Sequence, residues 1–346
     1  MLTLTTLLTA FAITALALPL IRRLAVMAGV VDVPGGRKIH EQVTPLLGGV
    51  GIYLGLVVVA VLNPGLLPEF GVFLLGATAI FVLGLIEDIR GLSALSRFLV
   101  QVAVALMVIS VGMRVSFLPH GLLGEAGEVI VTVIWIVGVT NAYNFLDGLD
   151  GLAAGSAAIN LFFFSLFLYG TAQYPVGLIA VALIGSCLAF LPFNFSSRKI
   201  FLGEAGSTLL GFCLAGIGLL GSWAHGNKVQ LLIPVLILGV PIFDMIFTTI
   251  MRVREGKVKS LLEWLRYSGA DHFHHYLVDQ GLGKRKAVVF IYSITAFLGI
   301  SAILLGNKKY EVEAALSLLQ ATIIFTGIAT LIVVGKRNRA GRGDST

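Results

Sequence analysis

Eleven apolar stretches limit what this chain can fold into. They centre on Leu2–Ile21, Leu47–Leu62, Phe70–Ile86, Phe98–Met113, Val129–Tyr143, Leu152–Tyr169, Pro175–Pro192, Ser207–Trp223, Val229–Met251, Ala287–Leu305 and Val312–Val334. A helix that crosses a bilayer needs roughly 17–25 such residues. The expected fold is therefore all-α: a polytopic membrane protein with about eleven transmembrane helices. Composition agrees. Only 12% of the 346 residues are charged and the mean hydropathy is +0.97, whereas a soluble domain carries roughly 25% charged residues. The chain reads as one integral membrane domain over 1–346. Its longest connection, 252–286, holds an amphipathic piece, SLLEWLRY, suited to lie along a membrane surface.

The basic residues set the orientation. No Lys or Arg precedes the first apolar stretch, and Arg22-Arg23 follows it. That order suits a retained first helix with its N-terminus outside rather than a cleaved signal. With the connections then assigned alternately, 20 of the 24 Lys and Arg residues fall inside, as the positive-inside bias requires. The C-terminus is expected inside. The net charge of +6 faces anionic headgroups, and nothing else supports a nucleic-acid partner. Cys187 and Cys213 sit within apolar stretches, where buried free thiols are expected.

The order in the polar residues is concentrated in the inside connections. NAYNFLDGLDGLAAG spans Asn141 to Gly155, and Asn141, Asn144, Asp147 and Asp150 recur every third residue. On a helix they would form one drifting polar stripe. Carboxylates and amides between such apolar flanks are costly unless they face water, a partner or an ion. In the first connection, Arg37, Lys38 and His40 precede Thr44-Pro45 and the glycines Gly48, Gly49 and Gly51. Two readings are open there: close helix packing through small residues, or an anion site at a helix N-terminus. Glu87 and Asp88 end the third stretch. On a helix they point about 100° apart, so they can serve different ligands, or pair with Arg90 or Arg97. Glu204 opens the eighth stretch, ten residues after Asn194; a plain capping role is its alternative. Asp244 lies inside the ninth stretch. His272, His274 and His275 follow Asp271 without the spacing of a zinc site, so donation to phosphate suits them better. Acids, amides, histidines and basic residues on one side fit a Mg²⁺-dependent reaction on a diphosphate. No Walker A motif is present, which excludes a P-loop NTPase.

Together these motifs resemble the polyprenyl-phosphate N-acetylhexosamine-1-phosphate transferases. RKIHEQVTPLLGG, the acidic pair with R-G-L-S, NAYNFLDGLDGLAAG, FNFSSRKIFLGEAGS, P-x-x-D at Asp244 and H-x-H-H occur in the family's order from about Val30 to Leu282. The resemblance implies transfer of a sugar-1-phosphate, GlcNAc-1-phosphate being favoured, from a UDP-sugar to polyprenyl (undecaprenyl) phosphate with release of UMP. This would be the first membrane step of a cell-surface polysaccharide such as O-antigen or teichoic-acid linkage, in a bacterial inner membrane. It implies Asp88 with Glu87 at the catalytic centre, and Glu204 with Asp88 on Mg²⁺, Mn²⁺ substituting. Lys38, Thr44, Asn144, Asp147, Asp150 and Asn194 would bind the nucleotide sugar, and His272, His274 and His275 the diphosphate. A homodimer is compatible with it. The nearest alternative is the phospho-N-acetylmuramoyl-pentapeptide branch; of another class, a membrane transporter. Two departures stand out. The family usually has Asp-Asp where this chain has Glu87-Asp88, and Asp where it has Glu204. Glutamate keeps the charge but moves the oxygens outward by about 1.5 Å, one carbon–carbon bond.

Overall fold

The computed structural model describes residues 1–33, 43–119, 121–195, 199–221, 231–267, 269, 271–306 and 311–343. The chain divides into two compact units, Met1–Ser222 and Trp223–Thr346. The first contains α1 (Leu2–Met27), a two-residue antiparallel bridge of β1 (Val31–Asp32) with β2 (Thr44–Pro45), α2 (Gly48–Leu62) and α3 (Leu67–Arg90). It continues with α4 (Ala94–Ser110), α5 (Leu122–Leu146), α6 (Leu152–Gly170), α7 (Tyr174–Phe195) and α8 (Gly203–Leu220). The second contains α9 (Leu232–Ile237), α10 (Gly239–Arg254), α11 (Leu261–Arg266), α12 (Phe273–Asp279), α13 (Lys284–Gly306) and α14 (Glu311–Gly343). The protein is an all-α polytopic membrane protein. Among the described residues, α1, α3, α5, α6, α7, α8, α13 and α14 are long and apolar enough to cross a membrane, while α2 and α4 are apolar but shorter.

Each apolar stretch became helix, but the ninth became two. Pro241 explains the break between α9 and α10. Its missing N–H and its ring exclude a bond to the carbonyl four residues back, at Ile237, where α9 ends.

In the first unit α8 is the most enclosed helix, buried at every residue from Ala205 to Gly218. α3 and α5 pack along it, with α2 and α6 also in contact. Its sequence, GEAGSTLLGFCLAGIGLL, alternates small and large residues, which lets neighbouring backbones come close. At Gly49 of α2 a Cβ would lie 2.3 Å from the amide nitrogen of Gly206, so the helices meet backbone to backbone. The Gly49 and Gly48 amides donate to the carbonyls of Leu202 and Phe201 at 2.8 and 2.9 Å. These first amides of α2 are thus engaged by protein. Of the two readings of the first connection, close packing is the one the fold realises. The bridge is tied in as well, the Phe201 amide donating to the Pro45 carbonyl at 2.8 Å. Cys187 and Cys213 are buried free thiols.

Candidate active site

The stretch from Asn141 to Gly155 is not one helix, so the single polar stripe does not form. α5 ends at Leu146 with Asp147 as its cap residue, and α6 begins after Gly151, which has φ +78°. Asp-Gly sequences favour turns, because aspartate bonds locally and glycine accepts positive φ. The break sends the four polar side chains to different partners. The Asn141 amide donates to Gln101 at 2.6 Å. The Asn144 amide donates to Glu204 Oε2 at 2.6 Å, and its carbonyl accepts from Ser207 Oγ at 3.1 Å. Asp150 pairs with Lys199.

Asp88, near the C-terminal end of α3, reaches the opposite pole of another helix. Its Oδ1 accepts the Glu204 amide at 2.9 Å and its Oδ2 the Ala205 amide at 3.0 Å. A carboxylate is unfavourable at a helix C-terminus and favourable at an N-terminus, so the contact with α8 compensates for its place in α3. Gly203 makes room for it. Its φ is +75°, and a Cβ there would lie 2.6 Å from Asp88 Oδ2. The capping role considered for Glu204 therefore belongs to Asp88. The Glu204 side chain turns instead to Arg97, whose Nη1 donates to Oε2 at 3.1 Å. The same Nη1 lies 3.5 Å from Glu87 Oε1. One guanidinium thus serves both glutamates, and Glu87 Oε2 is buried with no hydrogen-bond partner among the described residues.

Asp147 completes the acidic group. Burial, and then the negative charges of Glu204, Asp88 and Asp150, push its carboxyl well above the ordinary carboxylate range. Asn194 and Thr44 lie at the margin. The buried Asn194 side chain accepts the Gly151 amide and donates to the Ile200 carbonyl at 2.9 Å, tying the start of α6 to the segment before α8. Thr44 is buried in the bridge opposite Asp32. Lys38 lies outside the described residues. The structure thus brings together Glu87, Asp88, Asn144, Asp147 and Glu204, with Asp150, Asn194 and Thr44 held nearby in a structural frame.

The histidines belong to the second unit. His272 Nδ1 is 3.0 Å from Asp244 Oδ2, and its Nε2 is 3.2 Å from Arg252 Nη2. His274 is fully buried with neither ring nitrogen hydrogen-bonded among the described residues, and burial pulls its pKa down to about 3. His275, 4.2 Å away ring to ring, is also lowered, again chiefly by burial. The roles of Arg252 and Asp271 were not singled out by sequence. The available signal was spacing: Asp244, Thr248 and Arg252 recur every fourth residue of α10 and share a face.

Residues 70–222, which include the acidic group, match the family model described as "Glycosyl transferase family 4". Named relatives match over most of their length. A "Probable undecaprenyl-phosphate N-acetylglucosaminyl 1-phosphate transferase" of Bacillus subtilis is 37% identical, over 90% of this chain and 86% of the relative. A "Decaprenyl-phosphate N-acetylglucosaminephosphotransferase" of Mycobacterium tuberculosis is 33% identical over 95% and 88%. An "Undecaprenyl-phosphate alpha-N-acetylglucosaminyl 1-phosphate transferase" of Haemophilus influenzae is 32% identical over 87% and 86%. With a carboxylate-rich end on its first unit and relatives of this kind aligned across nearly all of its length, the chain belongs to glycosyl transferase family 4.

Proposed function

We infer that the protein transfers GlcNAc-1-phosphate from UDP-GlcNAc to a polyprenyl phosphate, undecaprenyl phosphate in the simplest case, releasing UMP. The observation that carries this is the 37% identity to the Bacillus subtilis relative across 90% of the chain, which includes the acidic group. Neither the pentapeptide transferase nor the transporter alternative is favoured, because these relatives are named for N-acetylglucosaminyl 1-phosphate transfer. The reaction would occur at the cytoplasmic face of the inner membrane, N-terminus outside, and open a cell-surface polysaccharide.

The residues present fit a divalent cation. Among the described residues, the four carboxylates of Glu87, Asp88, Asp147 and Glu204 have one guanidinium among them, and Glu87 Oε2 is a buried acceptor with no hydrogen-bond partner. Among the described residues no three His, Cys, Asp or Glu side chains already converge as a ligand set. Mg²⁺ does not require that, since one or two carboxylates together with substrate phosphates suffice. Glu204, Asp88 and Asp147 would hold it, and when bound it would neutralise charge on the departing UMP. The chain's own groups do the remaining work. An oxygen of the lipid phosphate attacks the phosphorus bonded to the sugar, and the bond from that phosphorus to the bridging oxygen of UMP breaks. Arg97 supplies positive charge, Asn144 and Ser207 orient Glu204, and the amides of α8 orient Asp88. The purified protein in detergent should release UMP from UDP-GlcNAc only with polyprenyl phosphate and Mg²⁺ or Mn²⁺ present. Turnover of a UDP-sugar panel without preference for UDP-GlcNAc would reject the substrate assignment.

A further inference from the structure

The second unit buries a row of ionisable side chains that the acidic site does not use. Asp244, Thr248 and Arg252 lie on one face of α10, at 0%, 1% and 2% exposure. Arg252 grips Asp271 with two nitrogens, Nη2 at 2.6 Å from Oδ1 and Nε at 3.1 Å from Oδ2, and its guanidinium lies 4.6 Å above the Tyr267 ring. The next link is His272 Nε2, 3.2 Å from Arg252 Nη2. The last is Asp244, whose Oδ2 faces His272 Nδ1 at 3.0 Å and whose Oδ1 accepts the Phe273 amide at 2.7 Å.

Donor and acceptor chemistry fixes the protons along this row. A guanidinium only donates, so His272 Nε2 must offer its lone pair. The Asp244 carboxylate accepts, so Nδ1 carries the hydrogen. His272 is thereby a neutral ring with both nitrogens engaged inside the protein. His274, two residues on, is the reverse case: its ring lies parallel to that of His272 at 5.9 Å, fully buried, with both nitrogens unbonded among the described residues. Unpaired buried polar groups are costly and call for a partner.

We propose that Asp271, Arg252, His272 and Asp244 form a positioning chain, in which His272 spends both ring nitrogens inside the second unit and serves as a positioning residue, not as a ligand of the nucleotide sugar. Asp244 holds both the His272 ring and the Phe273 amide, so the chain sets the turn from which α12 presents the other two histidines. This deepens the proposed transferase function and rests on it for the identity of the nucleotide sugar.

The test uses the full chain labelled with ¹⁵N-histidine in detergent, His272 being identified by the signal lost in His272→Asn. In the ligand-free protein His272 should show one protonated and one unprotonated ring nitrogen. Adding UDP-GlcNAc should leave both unchanged. A doubly protonated His272, or an Nε2 signal displaced by UDP-GlcNAc, would overturn the proposal. Kinetics supply the second arm. Arg252→Lys keeps the charge beside Asp271 but cannot span both partners. Arg252→Lys and His272→Asn should each lower kcat by about ten- to hundredfold, the usual cost of a small misplacement, with KM for UDP-GlcNAc within about twofold. The double variant should be no worse than the poorer single one, as members of one network behave. A roughly tenfold rise in KM for His272→Asn, or losses that multiply, would also overturn it. If either variant fails to fold, the wild-type spectrum still decides. If the protein turns over no UDP-GlcNAc, the transferase assignment falls, while the ring tautomer in ligand-free protein still judges the chain.

Discussion

The acidic group of the first unit and the histidine row of the second solve opposite problems. In the row every charge has its partners: Asp271 has the Arg252 guanidinium, and Asp244 accepts hydrogen bonds from His272 and a backbone amide. In the acidic group one guanidinium faces Glu87 and Glu204, and Asp147 has only negative neighbours among the groups that shift it. The first arrangement is matched donor to acceptor. The second carries a surplus of negative charge beside partly exposed side chains, Arg97 at 27% and Glu204 at 30%. Balanced polar groups serve to hold geometry, whereas an imbalance is where a cation and phosphates can enter.

The contrast can be broken most forcefully at Arg252. Arg252→Met should cost ~3–5 kcal/mol by leaving Asp271 buried without a counter-charge. Denaturant unfolding in detergent would read it, and a loss below ~1 kcal/mol would mean the row is not a matched set. At the acidic end Asp88→Asn should slow UMP release by about 10²–10³-fold, as for loss of a preorganised charge contact, with the protein still folded. Near-normal turnover would make Asp88 a helix cap alone. Acid should affect the second unit next. His274 is neutral in the fold, with a pKa near 3 against 6.5 in a free chain. The unfolded chain therefore takes up a proton below pH 6.5 that the folded one refuses. Stability is full above that pH and declines as pH falls toward 3, by about 2 kcal/mol at pH 5. A melting temperature unchanged from pH 7 to 5 would count against a buried neutral His274. Glu204→Gln should raise the Mg²⁺ concentration for half-activity roughly tenfold, since one carboxylate of few is lost; a titration matching the parent would remove Glu204 from the cation site. Smallest is Lys199→Ala, which breaks a half-exposed ion pair with Asp150 and should cost under ~1 kcal/mol. A larger loss would extend the strongly coupled region to that edge.

Much of this was readable in the sequence. The apolar stretches gave the helices because backbone in lipid must satisfy itself, and the fixed-order motifs gave the family. Arg97 was legible as a candidate partner of the acidic pair. What the sequence hid was the direction of side chains once helices end. Asp147 to Gly151 broke the apparent stripe because Gly151 takes a positive φ, and the spacing rule assumed one continuous helix. Asp88 and Glu204 are separated by 116 positions, so no local pattern could show that Asp88 caps α8 and frees Glu204 for Arg97. Asp271 looked like an adjunct of the histidines because its partner, Arg252, sat inside an ordinary-looking basic run.

The position of Asp88 has a thermodynamic consequence. Its two oxygens close the first turn of a helix to which it does not belong. Any cation that draws on those oxygens must weaken their hold on the Glu204 and Ala205 amides, and by reciprocity fraying of that turn must weaken the cation. Exchange of these two amide hydrogens with deuterated solvent should therefore speed up as the cation loads. The protein would in this way carry its own isotopic gauge of occupancy.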